Sequence, residues 1–259
     1  MSGTIEDTLR QPPKIERLRM EPVRRTLTVA QKFNVSPNMI RIVLTGEELQ
    51  GFNSPGADDN IKMIVPDGDG RPVMRSYTPR SYDAEAGELV IDFAVHEAGP
   101  ATRWALDVQP GELAYVAGPR GSKQVQGQID RWLMIADETA LPALARRVEA
   151  ADASERFECI MTVPTGADEQ EIVSRADVVE RWLHRDCLNA APEDATPLLF
   201  ELERTDIPDG TFIWIAAEGG VVRTVRNYLI ESRGIDKRWI KATGYWVKGQ
   251  SDTSAKFED

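Results

Sequence analysis

Cysteine and histidine are almost missing from this chain, with two of each among 259 residues. Cys159 and Cys187 are too few for a disulfide framework or a four-thiolate metal centre, and no Cys-x-x-Cys pair is present to serve as a redox dithiol. Such sparing use points to a reducing, cytoplasmic setting. His96 and His184 do not make a histidine-rich zinc or haem site, so no metal site is expected and any redox group must arrive with a cofactor or ligand. Long apolar runs are missing too. None approaches the roughly 20 residues that a spanning helix needs, and residues 1–14 carry acids, glutamine and proline where a secretory signal is apolar. No membrane insertion is expected, and residues 1–22 read as a flexible leader. Positive charge is in deficit, with 31 basic against 42 acidic side chains and a net charge of −11. That balance argues against general nucleic-acid binding and against a polybasic membrane anchor. An anionic ligand must find a locally basic pocket.

What the chain does have is enough apolar material for real cores: 41% hydrophobic residues, including six Trp, seven Phe and five Tyr. Between residues 23 and 118, short runs rich in Val, Ile and Thr alternate with Gly, Pro, Asn and Asp clusters. This pattern predicts strands over 25–33, 39–45, 60–65, 73–80, 88–95 and 113–117. Six antiparallel strands at this spacing suggest a small closed barrel, interrupted by one short helix opening at Gly99-Pro100. After residue 127 the pattern changes to continuous apolar runs (131–136, 157–163, 178–183, 211–217, 238–243) alternating with helical spacing over 139–151 and 220–232. Buried runs alternating with helices indicate βα units on a parallel sheet. Polar, glycine-containing residues 118–130 read as the link, and residues 186–197 as a loop. The expected organisation is a β-barrel over 23–125, an α/β domain over 126–250 and a polar tail over 251–259.

Two segments carry candidate chemistry. Arg75-Ser76-Tyr77-Thr78 ends a predicted strand. A flavin needs an aromatic plane against its ring, a hydroxyl or backbone donor near its reactive nitrogen and a cation for its pyrophosphate; alternation along a strand puts Arg75 and Tyr77 on one face. The same run also suits an edge strand with an exposed arginine. The second segment is Asp92-Phe-Ala-Val95-His96-Glu-Ala-Gly99-Pro100-Ala101-Thr102, which leads into the short helix. Gly99 lets backbone approach a ligand, and free N–H groups around Ala101 and Thr102 make an anion site that suits a pyrophosphate. A capped surface helix is the alternative. No G-x-G-x-x-G fingerprint is present, which disfavours a tightly held dinucleotide in the second domain and suits one that arrives and leaves.

These two motifs occur in order with Ala136-Asp137-Glu138-Thr139-Ala140-Leu-Pro-Ala143, Trp182-Leu-His-Arg185 and Arg238-Trp-x-x-x-x-Gly-Tyr-Trp246-x-x-Gly249. In that order, over residues 24–249, the chain closely resembles the siderophore-interacting proteins, a family of ferric-siderophore reductases in the ferredoxin-NADP reductase superfamily. The resemblance implies an FAD-binding barrel followed by an NAD(P)H-binding α/β domain. It implies that Arg75, Ser76, Tyr77 and Thr78 hold the flavin ring and phosphate end, and that Asp92, Val95, His96 and the Gly99, Pro100, Ala101, Thr102 turn hold the rest of FAD. Thr139, Ala140 and Trp246 would flank it. By the same analogy Asp137, Glu138 and Thr139, at a strand-to-helix turn, and Glu218, Gly219 and Gly220 face the nicotinamide dinucleotide. Ala136 and Ala217 stand where the family commonly has glycine, each adding a Cβ beside the presumed ligand path.

Iron chelates with catecholate or hydroxamate-carboxylate ligands are often anionic, which makes Lys62, Arg80, Arg238, Lys241 and Lys248 the candidates for a basic patch at the flavin edge. The expected activity is transfer of electrons from NADH or NADPH through FAD to siderophore-bound Fe(III), with iron released in the cytoplasm by a monomer and with no side-chain acid or base. Two competing readings are a ferric-siderophore binding or delivery protein with a vestigial flavin site, and a flavin reductase serving a protein partner.

Overall fold

Hydrophobic alternation in the first half and unbroken apolar runs in the second produce two sheets in the computed structural model, which describes residues 10–95, 99–250 and 255–256. The first half contains β1 (Lys14–Arg19), β2 (Arg24–Ser36), β3 (Met39–Thr45), β4 (Ile61–Pro66), β5 (Pro72–Tyr77), β6 (Pro79–Asp83), β7 (Glu88–Ala94), α1 (Pro100–Asp107), β8 (Leu113–Ala117) and β9 (Gly121–Gln126). Seven of these strands form one antiparallel sheet in the order β5-β4-β8-β2-β3-β7-β6. It is a curled half-barrel with seven strands, where the spacing predicts six in a closed barrel. The extra strand comes from a break. The run predicted over 73–80 stops at Tyr77 and restarts at Pro79, so Thr78 alone carries the chain from one edge strand to the other. Pro79 has no N–H to donate to a continuing ladder.

The inward faces of this sheet bury Leu27, Ile42, Leu44, Met63, Leu89, Ile91 and Val116, and α1 adds Ala101 and Ala105 to the same core. Each fully buried aliphatic side chain of this kind contributes about 1.5–3 kcal/mol. β1 and β9 pair with each other in a separate antiparallel ribbon, Lys14 opposite Gln126 and Arg19 opposite Gly121. This corrects two expectations. The 1–22 stretch contains the strand Lys14–Arg19, and residues 121–126 of the polar 118–130 link form its partner strand.

The second half runs β10 (Arg131–Asp137), α2 (Leu141–Glu149), β11 (Arg156–Val163), β12 (Asp177–His184), α3 (Arg185–Leu188), α4 (Thr196–Arg204), β13 (Thr211–Glu218), α5 (Gly219–Asn227), β14 (Ile240–Trp246) and β15 (Ala255–Lys256). Its sheet has the order β12-β11-β10-β13-β14-β15, parallel except for the last pair. Along β10 the side chains alternate between two cores: Trp132, Met134 and Ala136 meet α2 on one face, while Leu133 and Ile135 share the other with α4 and α5. Helices on both faces of a parallel sheet make the doubly covered α/β layer expected from the apolar runs. All of α3 but its first residue and the start of α4 lie within the predicted 186–197 loop, and β15 lies within the predicted 251–259 tail.

Strand order reverses between β10 and β13, the place where open α/β sheets put their ligands. The two halves are joined across α2 and β6. Arg146 donates to the Ser54 hydroxyl (3.0 Å) and the Pro79 carbonyl (3.2 Å), and Arg80 pairs with Glu149 at 2.5 Å.

Candidate functional site

The break at Thr78 sets the geometry of the first motif. Tyr77 and Arg75 share a face of β5, and Ser76 takes the opposite face, beside Lys62 on β4. Tyr77 packs its ring 4.3 Å from Phe93, and Phe93 lies 5.6 Å from Trp104 on α1. One aromatic chain thus links the β5 motif to the helix that follows Gly99. Burial pushes the Tyr77 phenol well up, with a smaller opposing effect from the Arg75 charge, so the tyrosine is neutral and acts as a flat apolar surface.

Gly99 is extended, Pro100 occupies the first helical turn and no side chain caps α1 among the described residues. Pro100 has no N–H, and the first helical bond is Arg103 N–H to the Gly99 carbonyl at 3.0 Å. The Ala101 and Thr102 amides therefore precede the ladder, and both residues are buried. A Cβ placed on Gly99 would meet no described atom within 4 Å. An uncapped helix start with open space beside its glycine, joined by aromatic packing to a half-buried arginine and a neutral tyrosine, fits a flavin dinucleotide with its phosphates at the helix.

Of the other residues assigned to FAD, Val95 sits at the end of β7, its amide donating to the Asn38 carbonyl at 2.8 Å. Asp92 is buried under a two-point pair with Arg41, both contacts at 2.7 Å. His96 lies outside the described residues.

The second half brings its own motifs to this seam. Asp137 ends β10 at the switch point. Its Oδ1 accepts from the Thr139 amide (2.9 Å) and hydroxyl (2.5 Å), and its Oδ2 accepts from Trp246 Nε1 at 2.8 Å. Burial first, and then the neighbouring Glu138 charge, raise the Asp137 carboxyl to about 6 against the opposing hydrogen bonds from Thr139 and Trp246. The C-terminal aromatic run is thereby fixed to the β10 turn. Tyr245 packs edge-on against Trp214, centroids 6.4 Å apart. Its hydroxyl is buried beside Thr78 and the carboxylates of Asp58, Asp137 and Asp59, and burial, with the Asp58 charge next, holds it well above the usual phenol range. Thr78 of the first motif and Tyr245 of the last therefore face each other across the two halves. Thr139 stands by Asp137, and Ala140 is buried where α2 begins, its amide on the Asp137 carbonyl.

Glu138 is committed elsewhere: both its oxygens pair with Arg185, at 2.7 and 2.6 Å. Glu218 caps α5, its Oε2 accepting from the amides of Gly220 (2.5 Å) and Val221 (3.0 Å), while Oε1 takes the Lys248 amide at 3.2 Å. A Cβ on Gly220 would lie 2.9 Å from that Oε2; Gly219 is buried as the first residue of α5. The methyl groups of Ala136 and Ala217 point into the packed cores of the sheet. Both are fully buried, Ala136 in the core under α2 and Ala217 in the core under α5.

The five expected cations are dispersed. Arg80 holds Glu149 and lies 3.8 Å from Asp92; Lys241 is buried on Asp58 at 2.7 Å; Arg238 pairs with Asp236 at 2.5 Å; and Lys248 pairs with Glu193. Lys62, behind the flavin motif, also lines a cavity of about 180 Å³ with Arg24, Arg120 and Met74. Sequence reasoning missed Arg24, Arg120, Asp58 and Arg146, which look like ordinary turn and surface charges until the chain is folded.

The chain is similar to known proteins along nearly its whole length. The model of the siderophore-interacting protein family matches residues 129–249, and that of the siderophore-interacting FAD-binding domain matches 28–71 and 64–123. The NADPH-dependent ferric-chelate reductase of Escherichia coli K12 is 33% identical over 264 residues, covering 93% of this chain and 99% of that protein. The ferric vibriobactin reductase ViuB of Vibrio cholerae is 31% identical, covering 88% of this chain and 91% of its own. The crystal structure of a siderophore utilization protein from T. fusca superposes with a TM-score of 0.83 at 33% identity, over 93% of this chain and 98% of that one. With both domain models matched and these identities sustained along nearly its whole length, the chain belongs to the siderophore-interacting protein family.

Proposed function

We propose that this protein is a flavin-dependent reductase that takes electrons from NADH or NADPH and passes them to Fe(III) held in a siderophore, freeing the metal in the cytoplasm. The observation that carries the reading is the meeting at one seam of Thr78, at the end of the flavin motif, with Tyr245 and the Asp137–Trp246 pair at the switch point of the parallel sheet. The names of the relatives supply the substrate class.

FAD, when bound, supplies the ability to accept two electrons from a nicotinamide and to release them singly to iron. The chain's own residues supply position and environment. Tyr77, backed by Phe93, offers the stacking surface; Arg75 and the Ala101 and Thr102 amides balance the phosphates; Thr78 places a hydroxyl at the seam. Asp137 orients Trp246, and its carboxyl, raised to about 6 by burial and then by the Glu138 charge, lies beside the proposed ligand path. Arg24, Lys62 and Arg120 gather positive charge around one cavity against the overall −11, the local field an anionic iron chelate needs. Hard oxygen donors hold Fe(III) far better than Fe(II), so reduction itself releases the metal. Among the described residues no helix is long and apolar enough to cross a membrane. We take a monomer as the working unit, since the flavin and nucleotide motifs both come from one chain.

The burial of the Ala136 and Ala217 methyl groups in the two cores weakens the argument for a pure binding protein. The direct test is anaerobic. The purified chain is expected to show a flavin spectrum that bleaches with NADH or NADPH and to release Fe(II), trapped by ferrozine, from a ferric siderophore. A colourless protein that also binds no added FAD refutes the proposal.

A further inference from the structure

The cavity lined by Arg24, Lys62 and Arg120 has a volume of about 180 Å³. Pockets that enclose a whole drug-sized ligand measure about 300–1,000 Å³, so this one holds part of an iron chelate and the rest must lie on the surrounding surface. Met74 forms one wall of the cavity. It also begins an apolar strip on the outer face of the half-barrel.

The strip follows from strand register. Alternation sends Ile61, Met63 and Val65 of β4 and Ala114 and Val116 of β8 into the core, so the residues between them point outward. On that outer face Ser76, Lys62, Ala117 and Arg24 lie side by side across β5, β4, β8 and β2. The next row is Met74, Ile64, Tyr115 and Thr26. β8 then runs on to Leu113, opposite Thr28, and β4 to Pro66, opposite Pro72. Met74, Tyr115 and Leu113 are 42%, 45% and 52% exposed, and Ile64 lies between the first two at 8%. The cationic row and the apolar rows are thus one continuous surface, about 13 Å long from Ala117 to Leu113.

None of these outward positions is acidic, although the chain carries 42 acidic side chains. Carboxylates at the margin are turned to backbone amides: Glu48 accepts from Thr26, Glu112 from Gln109, and Asp67 from Asp69 and Arg71. Exposed apolar surface joined to a cationic cavity matches an amphiphile, with its anionic head on the cations and its chain along the strand. A bilayer is flat, whereas these cations surround a concavity, which favours a single bound molecule over a membrane.

Building on the reading that the cavity receives an anionic iron chelate, we infer that the substrate is an amphiphilic siderophore whose acyl chain lies along Met74, Ile64, Tyr115 and Leu113. These side chains select the substrate and take no part in electron transfer.

Tryptophan-fluorescence titration of the oxidised, FAD-loaded chain, without nicotinamide, compares the ferric complexes of N-acetyl- and N-decanoyl-desferrioxamine. The two have the same charge and iron coordination and differ only in chain length. The decanoyl complex is expected to bind about thirtyfold more tightly, well short of full transfer of the extra methylenes because an open face covers one side of the chain. Tyr115→Ser combined with Leu113→Ser, both at outward positions, is expected to reduce that preference to about threefold or less and to leave the N-acetyl affinity unchanged. Equal affinity of the unaltered protein for the two complexes overturns the inference, and this comparison needs no variant. So does a preference that survives in the double variant. Sedimentation with phosphatidylglycerol vesicles that the double variant loses, in a protein with no acyl preference, assigns the face to a membrane and likewise overturns it. Absence of nicotinamide-driven Fe(II) release from either complex refutes the reductase reading itself, a result separate from the binding comparison.

Discussion

Replacing Asp168 by asparagine probes how the two halves are held in register. Five donors converge on this one buried carboxylate. Ser36 Oγ and the Asn38 amide reach Oδ1, each at 2.9 Å. Asn38 Nδ2 (2.9 Å), Thr165 Oγ1 (2.9 Å) and the Thr165 amide (3.2 Å) reach Oδ2. The first three come from the turn between β2 and β3, the others from the loop after β11, so the carboxylate clips the flavin half to the nucleotide half. Asparagine keeps one acceptor oxygen and aims an amide donor at the remaining donors. The Ser36 or Thr165 hydroxyl can rotate and accept instead, but a backbone N–H cannot, and each buried donor left unmet costs about 1–3 kcal/mol. With the charge-assisted strength also gone, Asp168→Asn is expected to destabilise the protein by about 2–4 kcal/mol.

The effect has a pH signature. Burial alone would raise this carboxyl, but the hydrogen bonds from Asn38, Ser36 and Thr165 outweigh it and hold it below the usual carboxylate range. The stability that Asp168 contributes is therefore complete above about pH 4 and fades as pH falls through the lower folded value. Urea unfolding followed by tryptophan fluorescence measures both quantities. The gap between native and variant protein should be widest at neutral pH and narrow on acidification. A gap below about 0.5 kcal/mol at pH 7, the range of inert surface substitutions, refutes the clip.

Tyr77→Ala removes the flat surface between Phe93 and the proposed flavin position; the variant is expected to purify without visible flavin absorbance and without ferrozine-detected activity, while retaining its far-ultraviolet circular dichroism. Wild-type FAD affinity in that variant shows that Tyr77 does not stack on the cofactor. Trp246→Phe deletes the Nε1 donor that stabilises the Asp137 anion, so that carboxyl should titrate above its present value of about 6. An upward shift in the pH profile of nicotinamide-driven flavin bleaching reports it, and an unmoved profile separates Asp137 from that step. Gly220→Ala pushes a methyl group against the Glu218 carboxylate that caps α5, and the disturbed cap is expected to cost about 0.5–2 kcal/mol, read as a lower melting temperature. No change there means that the cap relaxes freely.

The strands of both cores were legible because their periodicity is a direct imprint of burial. β3 and β8 begin and end where alternation predicts them, and the unbroken apolar runs of β10, β11 and β13 match strands buried on both faces. What alternation cannot reveal is a strand with no buried face. Lys14–Arg19 is exposed along its whole length, so β1 leaves no hydrophobic period and its partner β9 reads as a linker. The break at Thr78 was hidden for a related reason: Pro79 marks a discontinuity, but only the folded sheet shows that the chain passes from one edge to the other there. The cations failed as a group because residue type does not reveal a partner. Lys241 and Arg80 look like free surface charges in the sequence, and each meets a carboxylate from a segment far away in the chain, Asp58 in one case and Glu149 in the other.

An open, curled sheet has two unpaired edges, and such edges invite pairing with other chains. Here both edges converge on the same corner, because Thr78 joins β5 directly to β6. The nucleotide half packs α2 along β6, fastened by Arg80–Glu149 and by Arg146 on the Pro79 carbonyl. That helix is in effect a guard rail for the β6 edge. A half-barrel expressed without residues 126–250 would leave the edge bare, and self-association of that fragment through strand addition is the behaviour its architecture dictates.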